Sequence, residues 1–335
     1  MILVYVDDCL IFSKDQKLTE ETYQSLKKDF DLTDEGSIDK YLGIDIKRQK
    51  NGTIHLTQPN LQNRIVESIP GISNSNPKYT PAIAKELLHK DVEGQVRKNN
   101  WNYRSVVGML NYLASSTRPD IQFAVHQCAR FCNDPKLSHE QACKHICKYI
   151  RVTATEGLIY KPDKLKGLEC YVDADFAGGW SKDNGDEPSS VFSRTGYVIK
   201  YCNCPIVWLS KLQTEIALST TEAEYIALSQ SMREVIPMMQ IMEEIHDYMG
   251  IPLKKPIVKC TVFEDNNGAL ELAKTPKMRP RTKHIALKYH HFRSFVTQGK
   301  IDVLPIDTSQ QIADIFTKPL SRDLFERLRH MLNGW

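Results

Sequence analysis

The sequence predicts a chain of mixed α/β and α+β class, organised as about two domains. Three observations carry this reading. At 335 residues the chain is longer than one typical domain. Strand-like apolar runs cluster in two stretches, before residue 60 and after residue 167, with a helical block between them. The second cluster alternates strands with helices, as a sheet flanked by helices requires. Composition agrees: 25% charged and 41% hydrophobic residues exclude a mostly disordered chain and a collagen-like one. No apolar run reaches the roughly 18 residues of a membrane-spanning helix. The opening MILVYVDDCLIF is apolar but carries Asp7 and Asp8 and lacks a basic leader, so it is not read as a signal peptide.

The elements follow in order. ILVYV and CLIFS form two short β-runs joined by Asp7-Asp8. Thr19 opens an amphipathic helix with Tyr23, Leu26, Phe30 and Leu32 near one face. DKYLGIDIKRQ and GTIHLTQ read as strands split at the hairpin dipeptide Asn51-Gly52. Residues 59–68 read as a short helix, and the proline-bearing stretch 70–100 as a linker. A helical block spans 101–155, interrupted near Arg118-Pro119 and Asp134-Pro135, and KPDKLKG at 161–167 is a second short linker. LECYVDA, TGYVIKY and PIVWLS are three successive strands. A long helix covers 220–249, which Pro237 should kink or break. IVKCTVFED is a buried strand, helices follow near 267–274 and 283–297, GKIDVLPID is a fifth strand, and two short helices come last.

Nine scattered cysteines, an odd number, read as reduced thiols. Cys128 with Cys132, and Cys143 with Cys147, are spaced i, i+4 on helix faces, which admits a zinc reading. Zinc modules more often hold their ligands on short C-x₂-C loops. Buried structural thiols are the default for these four and for Cys202 and Cys204.

The chemistry is most legible at four acids of the second half. Asp173 ends the first apolar strand, Glu224 sits in the first turns of the long helix, Asp265 ends the fourth strand, and Asp314 starts a terminal helix. Such positions meet at the carboxyl edge of a sheet, where open α/β folds build their sites. Gathered carboxylates repel by roughly 3 kcal/mol per pair at about 5 Å and an effective dielectric near 20. A fold that gathers four therefore needs a cation. Oxygen-only ligands favour Mg²⁺ or Mn²⁺, and two such ions can activate a water and stabilise the leaving oxygen of a phosphodiester. Taken singly, an Asp at a strand end is more often a turn residue or a helix cap.

The runs YVDADFAGGW, SRTGYVIKYCNCPIVWLSKLQTEIALSTTEAEYIALSQSMREV, EDNNGAL, KHIALKYHHFR and QIADIFTKPL occur in that order. Together they closely resemble the ribonuclease H domain of copia-type retrotransposon polyproteins, over about 168–325. The resemblance implies a ribonuclease H-like mixed five-stranded sheet with flanking helices over 167–335. It also implies Asp173, Glu224, Asp265 and Asp314 as catalytic, metal-binding carboxylates. The implied reaction is Mg²⁺-dependent (or Mn²⁺-dependent) endonucleolytic cleavage of RNA in an RNA–DNA hybrid. Two ions would serve it. Asp173 and Asp265 would bridge both, Glu224 would hold one and orient the water, and Asp314 would hold the other.

Within TTEAEYIAL, Glu222 and Glu224 are both candidates, and Glu224 is followed three residues on by Ala227, as such ribonucleases usually show. In YVDAD, Asp173 lies on the strand and Asp175 past its end. The stretch LPIDTSQQ departs from the family, since many members carry a mobile His before the last carboxylate. Asp307, Thr308 or water is left to stand in. SKDNGDEP at 181–188 reads as a solvated insertion.

Tyr5-Val6-Asp7-Asp8 between two β-runs resembles the reverse-transcriptase palm hairpin. DKYLGIDI, HLTQPNLQNRIV, YRSVVGMLNYLASSTRPDIQFAV and HEQACKHICKYIRVT resemble the downstream palm, thumb and connection of the same polymerases. The implied layout is a truncated palm over 1–69, a linker with helical thumb or connection over 70–160, and then the ribonuclease H unit. Polymerisation uses two metals and three carboxylates. Asp7 and Asp8 would supply two, with the third on an upstream strand, so no polymerase activity is expected from this chain alone.

The formal charge of +3 names no partner by itself, but 276–300 holds seven Lys and Arg residues and no acid. Beside a nuclease-like site, this segment is a candidate phosphate-binding surface, above all Arg279, Arg281, Lys283, His284 and Arg293. Arg104, Arg118, Arg130, Lys144, Lys148 and Arg151 are candidates for tracking a hybrid's minor groove. Asp120 is placed to cap the helix after it. Tyr289 and Phe292 read as packing inward, and His290 and His291 are not read as metal ligands.

Two other classes stay open. One is a catalytically inactive remnant that acts at most as a hybrid-binding protein. The other is a DNA strand-transfer enzyme, a class that usually takes its Glu from a late helix. The implied setting is the cytoplasm, in a retrotransposon particle, with passage to the nucleus and no membrane partner.

Overall fold

A computed structural model describes the chain apart from residues 14, 85, 99, 183–186, 249–257 and 276–286, and the side chains of 188, 287 and 288. The described residues are mixed α/β, with helices packed among sheets of two, four and five strands. β1 (Ile2–Tyr5) and β2 (Asp8–Ile11) pair antiparallel as a separate hairpin. Its turn is Val6-Asp7 rather than Asp7-Asp8, because Asp8 is drawn into the ladder opposite Tyr5 while Val6 takes a φ of 52°. Ile2, Leu3, Val4, Tyr5 and Val6 are all exposed. α1 (Gln16–Leu26) starts before Thr19, since the Asp15 carboxylate caps it by accepting from the Lys17 amide at 2.9 Å. It stops at Leu26, so Phe30 lies off the helix and is exposed.

β3 (Lys40–Tyr41), β4 (Ile44–Arg48), β5 (Ile54–Thr57) and β6 (Leu158–Tyr160) form an antiparallel sheet in that order. At the β4–β5 turn Gly52 has a φ of 83°, and the Asn51 side chain accepts from the Thr53 amide at 3.0 Å. The helical block contains α2 (Pro59–Glu67), α3 (Tyr103–Ser116), α4 (Gln122–Ala129) and α5 (Leu137–Val152). Their apolar faces meet at Ile65, Leu110, Leu113, Val125, Ile146 and Ile150, each at most 1% exposed. The thiols of Cys128, Cys143 and Cys147 are unpaired and buried in this core. Among its described residues the stretch 70–100 has no helix or named strand, as expected, but it is not a loose spacer. Ile72 is buried, and Arg151 donates to the carbonyls of Ser73 and Ser75 at 2.9 and 2.6 Å.

Two expectations fail at the turn between α3 and α4. Asp120 does not cap α4, and Arg118 does not face a groove. Arg118 is 0% exposed and grips Asp120 with two hydrogen bonds of 3.0 and 2.9 Å. Tyr149 Oη and Asn333 Nδ2 also donate to Asp120, at 2.7 and 2.9 Å. Burial opposes the Asp120 charge, but Arg118 and these donors outweigh it and hold the carboxyl below its ordinary value. Three of the other block cations also have internal partners. Arg104 donates to Asn133, Lys144 to Glu140 and Arg130 to Ser189.

The five-stranded sheet contains β7 (Leu168–Asp175), β8 (Arg194–Tyr201), β9 (Cys204–Leu212), β10 (Cys260–Glu264) and β11 (Ile301–Pro305), in the order β11-β10-β7-β8-β9. β7, β8 and β9 are antiparallel, whereas β10 runs parallel to both β7 and β11. The strand period of two divides the residues between faces. Cys170 and Val172 pack under α6 (Thr220–Tyr248), α7 (Asn267–Lys274) and α8 (Arg293–Thr297). Tyr171 and Val198 pack on the opposite face, toward α9 (Asp314–Thr317) and α10 (Arg322–Asn333). That second face shares one core with the helical block. α6 continues through Pro237 without the break that is one of the two expected outcomes, with Val235 and Met239 on either side seated in the sheet's core. β7 also outlasts its expected end and includes Asp175.

Candidate active site

The site forms where β7 and β10 separate. Their pairing ends at Tyr171 opposite Phe263, so the next carbonyls lose their ladder partners. The buried Gln311 amide takes both, donating to the Val172 carbonyl at 2.8 Å and to that of Phe263 at 3.4 Å. Just beyond this staple, the two strands deliver Asp173 and Asp265 to one crevice. α6 adds Glu224, and ligand oxygens of the three residues lie within 4.8 Å of one another.

Two glycines allow the surrounding elements to close in. Gly196 lies opposite Asp173 on β8, where a Cβ would sit 2.6 Å from the Thr317 methyl and 3.0 Å from the Ala313 carbonyl. Only a residue without a side chain lets α9 seat there. At Gly268 a Cβ would fall 2.6 Å from Thr221 Oγ1, so this glycine lets the starts of α6 and α7 meet beside Asp265.

The carboxylates are held by hydroxyls. Thr317 Oγ1 donates to Asp173, and Thr308 Oγ1 donates to Asp265 at 3.0 Å. Thr308 is one of the residues weighed against the absent His, and here it supports a carboxylate. Glu224 is 4% exposed, and its Oε2 has no hydrogen-bond partner among the described residues. Burial, reinforced by Asp173, Glu264 and Asp265, drives its carboxyl well above the ordinary value. Burial and Asp173 also raise Asp265. Glu222 points elsewhere, with its carboxylate accepting from the Leu218 amide at 2.9 Å at the start of α6.

Asp314 is nearby but bound differently. It is buried, and Lys318 one turn along places Nζ 2.9 Å from Asp314 Oδ1 and 3.5 Å from Asp173 Oδ2. Burial and Asp173 push the Asp314 carboxyl up to about 7, against the pull of Lys318. Burial works against the Lys318 ammonium, yet Asp173, Asp314 and Asp265 outweigh it and strengthen its hold on the proton. Sequence reasoning missed Lys318, Thr317 and Gln311. For Lys318 the i, i+4 spacing from Asp314 was the available signal.

Arg279, Arg281, Lys283 and His284 lie outside the described residues. Arg293 donates to the Leu272 carbonyl, and its guanidinium lies 5.8 Å from the Tyr225 ring centre. Tyr289 and Phe292 are buried, and His290 Nδ1 lies 2.7 Å from the Tyr225 hydroxyl. Asp7 and Asp8, on the exposed hairpin, join no group of three or more possible metal ligands among the described residues. No helix of the described residues is long and apolar enough to cross a membrane.

Fold and site together define an α/β protein with an acidic triad able to hold a metal ion. Residues 1–84 match the family described as reverse transcriptase (RNA-dependent DNA polymerase). The chain is 35% identical, over 97% of its length, to the retrovirus-related Pol polyprotein from transposon RE1 of Arabidopsis thaliana. It is 35% identical over 99% of its length to that from transposon TNT 1-94 of Nicotiana tabacum. It spans only 21% and 24% of these two polyproteins. A putative transposon Ty5-1 protein of Saccharomyces cerevisiae is 31% identical over 67% of this chain and 70% of its own length. The chain belongs to the copia-type retrotransposon Pol polyproteins and carries part of their reverse-transcriptase region.

Proposed function

We propose that this chain cleaves the RNA strand of RNA–DNA hybrids in a reaction dependent on Mg²⁺ or Mn²⁺. On this reading 1–69 is palm, 70–160 is linker with thumb or connection, and 167–335 is a ribonuclease H unit. The observation that carries it is the triad of Asp173, Glu224 and Asp265 in the β7–β10 crevice. A buried carboxylate oxygen without a donor among the described residues, such as Glu224 Oε2, is costly unless a cation meets it. A donor set of carboxylate oxygens, free of thiol and imidazole, suits Mg²⁺ or Mn²⁺ better than zinc. A divalent ion held there supplies Lewis acidity to a phosphate oxygen and acidifies a bound water.

The chain's own residues do the rest. Thr317 and Thr308 fix the orientation of Asp173 and Asp265. Glu224, with a free oxygen and a raised proton affinity, is placed to accept a hydrogen bond from the attacking water. The basic segment 276–300 is proposed to neutralise hybrid phosphates. The position of Glu224 on the helix directly after β9 supports the nuclease over a strand-transfer enzyme. Primer extension by this chain alone is not proposed, since no third carboxylate groups with Asp7 and Asp8 among the described residues.

The test is incubation with a labelled RNA–DNA hybrid, the same RNA alone, and a primed template with nucleotides, each with Mg²⁺. Cleavage confined to the hybrid is the expected result. Tight hybrid binding without cleavage would replace this reading with that of an inactive binding remnant, and templated extension would overturn the statement about the palm.

A further inference from the structure

We infer that Lys318 occupies the second cation position of this site, so that the crevice takes one divalent ion rather than two. The inference rests on the proposed reading of the triad as a metal site. Asp173 is the shared element. It contributes to the triad with Glu224 and Asp265, and the Lys318 ammonium approaches its Oδ2 at 3.5 Å. The same ammonium lies 2.9 Å from Asp314 Oδ1, so it already offsets the charge of the fourth carboxylate. Among the described residues, Asp314 stays outside the group of possible ligands that the other three form.

The ammonium is seated by the fold. Lys318 follows Ile315, Phe316 and Thr317, all buried, and Thr317 is itself tied to Asp173. Its side chain is 35% exposed, against 2% for Asp314 and 3% for Asp173, so the charged tip reaches in from the rim. Charge alone permits either count: with four formal carboxylate charges and Lys318, one divalent ion leaves −1 and two leave +1, so the contacts of Lys318 decide. An ammonium differs from an ion in what it supplies: it offsets charge and donates hydrogen bonds, but it binds no water as a ligand. Lys318 is therefore a positioning residue that fixes Asp314 and Asp173 and leaves Lewis acidity to a single ion.

The test counts ions. Mn²⁺ is titrated into the full chain and free Mn²⁺ is read by electron paramagnetic resonance, for wild type, Lys318→Arg and Lys318→Met, with circular dichroism reporting folding. One tightly bound Mn²⁺ per chain is expected in wild type and Lys318→Arg, rising to two in Lys318→Met. Two ions in wild type overturn the inference, as does a count of one in both wild type and folded Lys318→Met. If Lys318→Met does not fold, Lys318→Gln takes its place with the same criteria. Absence of bound Mn²⁺ from wild type and all variants sinks the metal-site reading itself, so the two failures are distinct.

Discussion

Two acidic sites, one in each half of the chain, contrast in exposure and in surroundings. Asp7 and Asp8 sit on a two-stranded hairpin whose first strand is exposed along its length. Asp173, Glu224 and Asp265 converge in a crevice, with Asp173 and Glu224 at most 4% exposed. In the hairpin, solvent screens the charges, so adjacency in sequence has little energetic consequence. In the crevice, residues far apart in sequence are brought within 4.8 Å, and burial makes their repulsion strong. An acidic motif is thus informative only through what surrounds it. Glycine-enabled close approach, hydroxyl donors and a lysine counter-charge set the crevice apart.

The sharpest way to break the contrast is to remove one carboxylate from each site. On the proposed reading, Asp173→Asn should remove a metal-ligand charge, and loss of several kcal/mol of transition-state stabilisation should lower hybrid cleavage by about 10³-fold. Asp8→Asn leaves cleavage unchanged. Initial rates on a labelled hybrid check both, and equal rates for wild type and Asp173→Asn would sink the assignment.

A smaller effect is expected from the scaffold. Gly196→Ala places a methyl 2.6 Å from Thr317 Cγ2 and 2.7 Å from Phe316 Cβ. The overlap destabilises the protein by about 1–3 kcal/mol. The displaced Thr317 and Lys318 lower metal affinity by roughly 10-fold to 100-fold. Thermal melts and Mn²⁺ titration read the two effects separately. An unchanged affinity would mean that α9 does not organise the crevice.

The pH dependence is subtler still. Glu224, Asp265 and Asp314 have carboxyls raised by burial and mutual repulsion, Asp314 to about 7. The native protein then binds more protons than the unfolded chain between the ordinary carboxyl values and the raised ones. Its metal-free stability therefore falls as pH climbs through that window. Burial and neighbouring cations depress His126 to about 3, and burial depresses His139 and His145, which pulls the profile the opposite way. Comparing melts with and without Mg²⁺ at one pH cancels the histidines. Stabilisation by Mg²⁺ is expected to be larger at pH 8 than at pH 5, because protons compete for the ligand oxygens. A shift independent of pH would exclude these carboxylates as the binding groups.

Much of this was legible locally. Apolar runs marked β7, β8 and β9, the span 267–274 coincides with α7, and three of the acids picked from strand ends and a helix start do converge. What escaped was non-local. No local pattern announces that β6 pairs with β5 across the helical block, or that Asn333 donates to Asp120. Pro237 misled because local propensity weighs one lost hydrogen bond, whereas packing of Val235 and Met239 carries the helix through. Lys318 escaped because a lysine near a helix end reads as a solvated charge until the fold brings Asp173 beside it.

The smallest expected effect has the less intuitive sign. In chelator, Asp265→Asn should stabilise the protein by about 1 kcal/mol, while Asp7→Asn stays within about 0.5 kcal/mol of wild type. Asparagine keeps an acceptor oxygen for the Thr308 hydroxyl, and the Lys318 contacts are to Asp173 and Asp314, so no hydrogen bond need be lost. What disappears is charge repulsion with Asp173 and Glu224 together with a smaller attraction to Lys318, since burial and Asp173 raise the Asp265 carboxyl in spite of that ammonium. The gain is well below the full pairwise repulsion, because the high proton affinity of Glu224 already relieves part of it. Such a gain is the signature of a site whose strain is kept for function. Urea melts in chelator decide the matter: a lower midpoint for Asp265→Asn at unchanged slope would mean that the crevice is not strained, and the contrast with the hairpin would reduce to geometry alone.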